Sequence, residues 1–260
     1  MKNYILVMVI VLLGSCNNDK KTSNCPETPT VKENPFPEKI KFPSLDSLTV
    51  FANLYHYNDS APVIVLCHQA RYNKFEYSGI APKLHKLGYN CLAIDQRSGG
   101  GIVESINETN KEALKLNKAV DFLDAEQDII AAVEFAAKKY KQNVILWGSS
   151  YSSVLSLYTA IDHKNVRAVI AFSPGDYFQK EKGSLTEKIK TFEKPMLVTS
   201  SKEEAPELSA MLKDKKLGVN QIQFIPDSIG HHGSRALWES SNNNEEYWKA
   251  ILNFLESLKN

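Results

Sequence analysis

The sequence predicts an α/β fold with a mostly parallel central sheet flanked by helices on both faces. Short apolar runs such as Val63–Cys67 and Val144–Trp147 are continuous rather than alternating, which is the pattern of strands buried on both faces. Segments with helical spacing separate these runs, and the order strand, helix, strand repeats along the chain. Parallel strands joined by helices cross over right-handedly, which leaves few topologies.

Taken in order, Leu48–Tyr57 is rich in β-branched and aromatic residues with partial alternation, and reads as an early edge strand or hairpin arm. Val63–Cys67 is a buried strand. Helical spacing from Glu76 to Leu87 ends at Gly88, and Tyr89–Asp95 begins the next strand. Ser98 to Asn117 is long for a strand-to-helix connection, and either lines the substrate pocket or forms a polar surface excursion. A long helix follows over Lys118–Tyr140, with Val120, Ile129, Ala132, Val133 and Ala136 on one side. Val144–Trp147 is then a strand, Ser153–Ile161 a helix, and Val166–Phe172 and Met196–Thr199 are strands. A helix at Pro206–Lys213, a strand at Gln221–Ile225 and a helix at Glu245–Leu258 complete the pattern. Function in such sheets gathers at the carboxyl ends of the strands.

The first 41 residues read differently. Lys2 followed by an apolar run from Tyr4 to Leu13 and small residues describes a secretory signal over residues 1–15, too short to span a bilayer as a stable helix. Leu13-Gly14-Ser15-Cys16 resembles the lipobox of bacterial lipoproteins. That resemblance implies cleavage before Cys16, acyl chains on Cys16, export across the cytoplasmic membrane and a lipid-anchored place in the cell envelope. Residues 16–41, with Pro26, Pro29, Pro35 and Pro37 and few large apolar side chains, read as an extended tether. Residues 42–260 suit one domain. The formal charge of +1 falls to 0 without Lys2, so electrostatics give no case for nucleic acid. Cys67 and Cys91 lie in strand-like runs and read as free buried thiols. No C-x-x-C supports a redox site, and no spacing implies a metal or cofactor.

Gly148-Ser149-Ser150-Tyr151-Ser152 follows the run Val144–Trp147 and precedes a helix. A strand, sharp turn and helix present a serine for nucleophilic attack, so Ser150 is the candidate nucleophile. The usual G-x-S-x-G ends in glycine, whereas Ser152 stands here. A serine hydroxyl needs a base within hydrogen-bond reach and a third group to orient that base. His231-His232-Gly233 follows the last strand; His232 is preferred because Gly233 frees the backbone beside it, with His231 as fallback. The acid is expected after Met196–Thr199 at Glu204, with its neighbour Glu203 and Asp176, after Val166–Phe172, as alternatives. The oxyanion donors are expected to be the N–H of Tyr151 and that of Ala70, with Gln69 next. His68 is expected to brace the loop by hydrogen bonds. Tyr72, Phe75, Tyr151, Tyr177 and Phe178 are candidates for aromatic pocket walls or for core.

The segments VIVLCHQARYNKFEY, LGYNCLAIDQRSGGG, ILWGSSYSS, AFSPGDYF, KPMLVTSSKEE and GHHGSRALW together resemble the α/β-hydrolase superfamily, and within it the dienelactone hydrolase-like branch. The resemblance spans nearly all of Leu48–Asn260 and includes the chain order serine, acid, histidine. It implies a serine hydrolase that cleaves an ester or related acyl bond of a small-molecule substrate, with Ser150, Glu204 and His232 as triad and Ala70 and Tyr151 at the oxyanion hole. Dienelactone hydrolase uses a cysteine where Ser150 stands, so its particular reaction does not transfer. The alternative is a membrane-tethered ligand-binding protein that keeps the scaffold without turnover, supported by Gln69 and Ser152 in place of glycines.

Overall fold

The computed structural model describes residues 36–102 and 105–259. The expected signal segment, Cys16 and the tether as far as residue 35 lie outside the described residues. Among them the chain begins with a hairpin, β1 (Glu38–Pro43) and β2 (Thr49–Tyr55), turning through Ser47 at φ +66°. The sequence boundary between tether and domain, at residue 42, is therefore too late. Ile40 and Phe42 point the same way on β1, and Phe42 stacks on Phe135 with ring centroids 4.7 Å apart, so this polar-looking stretch has an apolar face to bury. It is β1 that forms the edge, and β2 is an inner strand.

Next come β3 (Val63–Cys67), a 3-10 turn at Lys74–Tyr77, α1 (Ile80–Lys86) and β4 (Asn90–Ile94). The helix starts later than its periodicity suggested because Pro82, which lacks an N–H, fits only in a first turn. The connection after β4 contains a helix, α2 (Glu108–Lys115), whose N-cap Asn107 accepts the Asn110 N–H at 2.8 Å. A second 3-10 turn at Leu123–Ala125 leads into α3 (Glu126–Tyr140), shorter than the expected Lys118–Tyr140; Lys118 instead closes α2, its N–H bonded to the Ala113 carbonyl at 2.9 Å after Asn117 at a left-handed φ of +51°.

From there β5 (Val144–Ser149), α4 (Tyr151–Asp162), β6 (Val166–Phe172), α5 (Gln179–Lys182), α6 (Leu185–Ile189), β7 (Met196–Thr199), α7 (Ala205–Met211), β8 (Gln221–Phe224) and α8 (Asn244–Ser257) follow in turn. Among the described residues eight strands form one sheet in the order β1-β2-β4-β3-β5-β6-β7-β8, with β2 antiparallel to both neighbours and all pairs from β4 to β8 parallel. Helices α3, α4, α6 and α7 cover one face, and α1 and α8 cover the other. Alternate residues of a strand serve alternate faces: Val63, Val65 and Cys67 join the first core, and Ile64 and Leu66 the second. Burial on both sides is why the inner strands read as unbroken apolar runs. Cys67 and Cys91 are both free and buried, and they belong to opposite faces.

Candidate active site

The turn between β5 and α4 holds Ser150 at φ +58°, ψ −126°, a conformation that L residues rarely adopt. The strain is held by packing on both sides. A Cβ at Gly148 would run into the backbone of Ser152 and Ser153, so strand and helix approach closely enough that only glycine fits. At the other end of the pattern, the buried Ser152 does more than fill a glycine's place. Its hydroxyl accepts the Ser149 N–H at 2.9 Å and donates to the Cys67 carbonyl at 2.8 Å, bridging the ends of β5 and β3. The hydroxyl thus links the two strands just past their last paired residues, Cys67 and Gly148.

The loop from β8 to α8 brings His232 over this turn. His232 Nε2 lies 2.7 Å from Ser150 Oγ, and Nδ1 meets a carboxylate oxygen of Glu204. Glu204 also accepts from Ser173 Oγ at 2.7 Å and from the Ser201 N–H at 3.2 Å. Burial pushes its carboxyl up, but the hydrogen bonds from His232 and Ser173 and the charge of His232 outweigh that and hold it down at about 2. Because Glu204 is ionised, the ring proton sits on Nδ1, and Nε2 is left to accept from Ser150.

The structure thus brings Ser150, His232 and Glu204 into one hydrogen-bonded series and leaves the alternatives outside it. Glu203 faces solvent. Asp176 is committed elsewhere, accepting from Ser184 Oγ at 2.8 Å and the Leu185 N–H at 2.9 Å, where it holds the start of α6. Gly233, at φ +70°, sets the turn after His232, and a Cβ there would meet Ser149 Oγ at 2.6 Å.

On the oxyanion side, the Gln69 N–H is occupied by Glu76 Oε2 at 2.7 Å. Neither Tyr151 nor Ala70 has a backbone N–H partner among the described residues, so both of these donors are left for a ligand. His68 is fully buried: Nδ1 donates to the Gln69 carbonyl at 2.9 Å and Nε2 accepts the Gln96 N–H at 2.9 Å. Burial drives its pKa down to about 4, so it stands as a neutral brace. Asn107 reaches the same ring and the Gln96 carbonyl, which ties the start of α2 to this loop. The connection from Ser98 therefore braces the loop after β3, which neither expectation for it foresaw.

Of the candidate aromatic walls, Phe178 is core and Tyr151 is buried, with its hydroxyl 2.6 Å from Ser98 Oγ. Tyr72 is also buried and accepts from Arg235 at 3.0 Å. Tyr177 is exposed and helps line a cavity of about 420 Å³ that borders Glu204, Glu207 and Met211. Among the described residues no group of three His, Cys, Asp or Glu is placed to hold a metal ion. Sequence reasoning missed Ser149, Ser173 and Glu76, whose parts depend on partners far along the chain.

No protein-family profile matches the chain, and no curated protein sequence is similar to it. Solved structures are. An esterase of Pyrococcus furiosus superposes with a TM-score of 0.65 at 15% identity, over 85% of this chain and 91% of the esterase. A Klebsiella pneumoniae protein assigned as a dienelactone hydrolase gives 0.61 at 13% identity, over 84% and 96% of the two chains. An α/β-hydrolase of a Penicillium species gives 0.60 at 14% identity, over 85% and 98%. With the sheet order above, these likenesses establish the α/β-hydrolase fold for this chain.

Proposed function

We propose that the protein is a serine hydrolase that cleaves a carboxylic ester, or a related acyl bond, through an acyl-serine intermediate. The observation that carries this reading is Ser150 at a strained positive φ with its Oγ 2.7 Å from His232 Nε2. Such strain persists only where the surroundings over-determine it, and it aims the hydroxyl out of the helix start. Ser150 Oγ attacks the acyl carbon while its proton passes to His232 Nε2. Glu204 stabilises the imidazolium that forms, and the N–H groups of Tyr151 and Ala70 receive the oxyanion. His232 then hands its proton to the leaving group, and water repeats the sequence to release the acid.

The non-catalytic reading rested on Gln69 and Ser152 in place of glycines. Ser152 supports turnover instead, since its hydroxyl holds the elbow together. The test is labelling by a fluorophosphonate probe and turnover of activated short-chain esters, by the intact protein and by Ser150→Ala. Both activities should vanish in the variant; retention of either removes Ser150 from the mechanism. Location is part of the same proposal and rests on the Met1–Cys16 sequence: the protein works as a lipid-anchored enzyme of the bacterial envelope. Cys16→Ser should then move it from the membrane to the soluble fraction, and a variant that stays with the membrane overturns the anchor.

A further inference from the structure

Beneath the elbow lies a second carboxylate, Glu76, which the proposed acyl transfer does not use. It is fully buried in the 3-10 turn at Lys74–Tyr77. The turn itself is pinned by the buried Lys74, whose ammonium sits 2.7 Å from Asp95 and 2.8 Å from Glu108. Oε2 of Glu76 accepts the Gln69 N–H at 2.7 Å, and Oε1 accepts Ser149 Oγ–H at 2.7 Å. Ser149 Oγ in turn accepts the Ser234 N–H at 2.8 Å. Each of these partners is next to, or near, a residue of the proposed machinery: Gln69 precedes Ala70, Ser149 precedes Ser150, and Ser234 follows His232 by two positions. One carboxylate thereby joins loops that leave three different strands, β3, β5 and β8.

We infer that Glu76 is a positioning residue that holds the oxyanion loop, the elbow and the histidine loop in mutual register, and that it does so as a carboxylate. The inference rests on the serine hydrolase reading. The physical reason lies in the donors around it. Every partner of the carboxylate presents a hydrogen: the Gln69 N–H at Oε2, and at Oε1 the Ser149 hydroxyl, which itself accepts the Ser234 N–H, with Gln69 Nε2 more distant at 3.4 Å. A proton on Oε2 would face the Gln69 N–H and displace it, and a proton on Oε1 would make the Ser149 hydroxyl turn its own hydrogen away, so protonation breaks or reverses one of the links. The oxyanion loop would lose its fixed distance from Ser150.

Burial pushes the Glu76 carboxyl up to about 7, against the hydrogen bonds from Gln69 and Ser149 and the charges of Arg235 and His232, which favour the ionised form. The other titratable groups facing it are the Cys67 thiol on β3, the Tyr77 hydroxyl on its own turn and the Tyr151 hydroxyl on α4. Burial raises all three, so they stay neutral through this range.

The experiment compares the intact protein with Glu76→Gln from about pH 5.5 to about pH 8.5, following kcat and KM on a short-chain ester and the fluorophosphonate labelling rate. At the alkaline end E76Q should lower kcat and labelling by about 10-fold to 100-fold with KM within about twofold, because donors are misplaced while binding is not. The ratio of intact protein to variant should shrink toward one at the acid end, where the intact Glu76 is itself protonated. An unchanged kcat at the alkaline end, or a loss of the same size at every pH, overturns the inference and leaves only packing. If E76Q does not fold, Ser149→Ala takes its place. Removing that donor raises the Glu76 pKa, so the acid limb of the activity profile should move to higher pH, and an unmoved limb overturns the inference.

Tryptophan fluorescence on the same samples needs no turnover. Trp238 Nε1 donates to the Glu76 carbonyl at 2.8 Å and Trp147 Nε1 to Ser234 Oγ at 3.0 Å, so both indoles report on this cluster. A transition near pH 7, absent from E76Q, is expected whether or not esters are cleaved; a flat titration of the intact protein overturns the inference. Absence of labelling and turnover at every pH, with the transition present, sinks the hydrolase reading instead.

Discussion

The loop after β7 and the 3-10 turn after β3 each carry one glutamate to the carboxyl end of the sheet, and their surroundings drive the two apart. Glu204 is half-buried and receives hydrogen bonds from His232, Ser173 and Ser201, which together hold it ionised well into acid. Glu76 is wholly buried, takes its strong hydrogen bonds from one backbone N–H and one hydroxyl, and rises to the neutral range. The difference teaches that desolvation sets the direction unless the hydrogen bonds donated to the carboxylate outweigh it. One carboxylate is suited to a permanent charge beside an imidazole. The other is poised where a proton can come and go.

The largest effect that tests this contrast is on Glu204. Glu204→Gln should lower kcat by about 10³-fold to 10⁴-fold, because an amide at that place no longer keeps the His232 proton on Nδ1. Steady-state kinetics measure it, and a loss of that size in Asp176→Asn instead would reassign the acid.

Stability against pH separates the two glutamates by sign. Glu76 binds its proton more tightly folded than unfolded, so from about pH 4.5, where the unfolded side chain ionises, to about pH 7 the folded state loses stability as pH rises. The whole window is worth about 2 to 4 kcal/mol for a group this deeply buried. Glu204 has the opposite sign: its contribution is complete above about pH 4.5 and is lost as pH falls toward about 2. Urea unfolding of the intact protein and of E76Q should show the decline between about pH 4.5 and about pH 7 only in the former. A decline common to both assigns it to other groups.

A smaller effect is expected at the elbow. Ser152→Gly restores the usual motif, yet it should destabilise the protein by about 1 to 3 kcal/mol, since it strands the Ser149 N–H and removes a link to Cys67. Thermal unfolding reads this, and an unaltered midpoint would mean that the hydroxyl merely occupies space. The smallest effect belongs to the neighbour of the proposed base: His231→Ala should leave kcat within about twofold, as a substitution away from the hydrogen-bonded series.

Much of the fold was legible because its signals are local. Runs such as Val144–Ile145–Leu146–Trp147 announce strands buried on both faces, and the turn after them announces an exposed serine at the start of a helix. Element ends were less legible. Pro82 shortened one helix, Asn117 and Lys118 closed α2 where a longer α3 was expected to begin, and Ile40 with Phe42 was too brief a pattern to stand out beside the prolines before it. Asn107-Glu108 carries a helix start, an N-cap followed by an acidic first turn, within a stretch whose glycines and polar residues read as loop.

What the sequence determined by itself was the α/β architecture, the order of candidate residues along the chain and the placing of Ser150 between strand and helix, since periodicity and turn chemistry act over a few residues. Which of Glu203, Glu204 and Asp176 meets which of His231 and His232, and which N–H beside His68 stays free, was decided only in three dimensions. Partners there lie far apart in sequence: Ser150 and His232 by 82 positions, Glu76 and Ser149 by 73. A hydrogen bond selects among neighbours within fractions of an ångström, and no local pattern carries that selection.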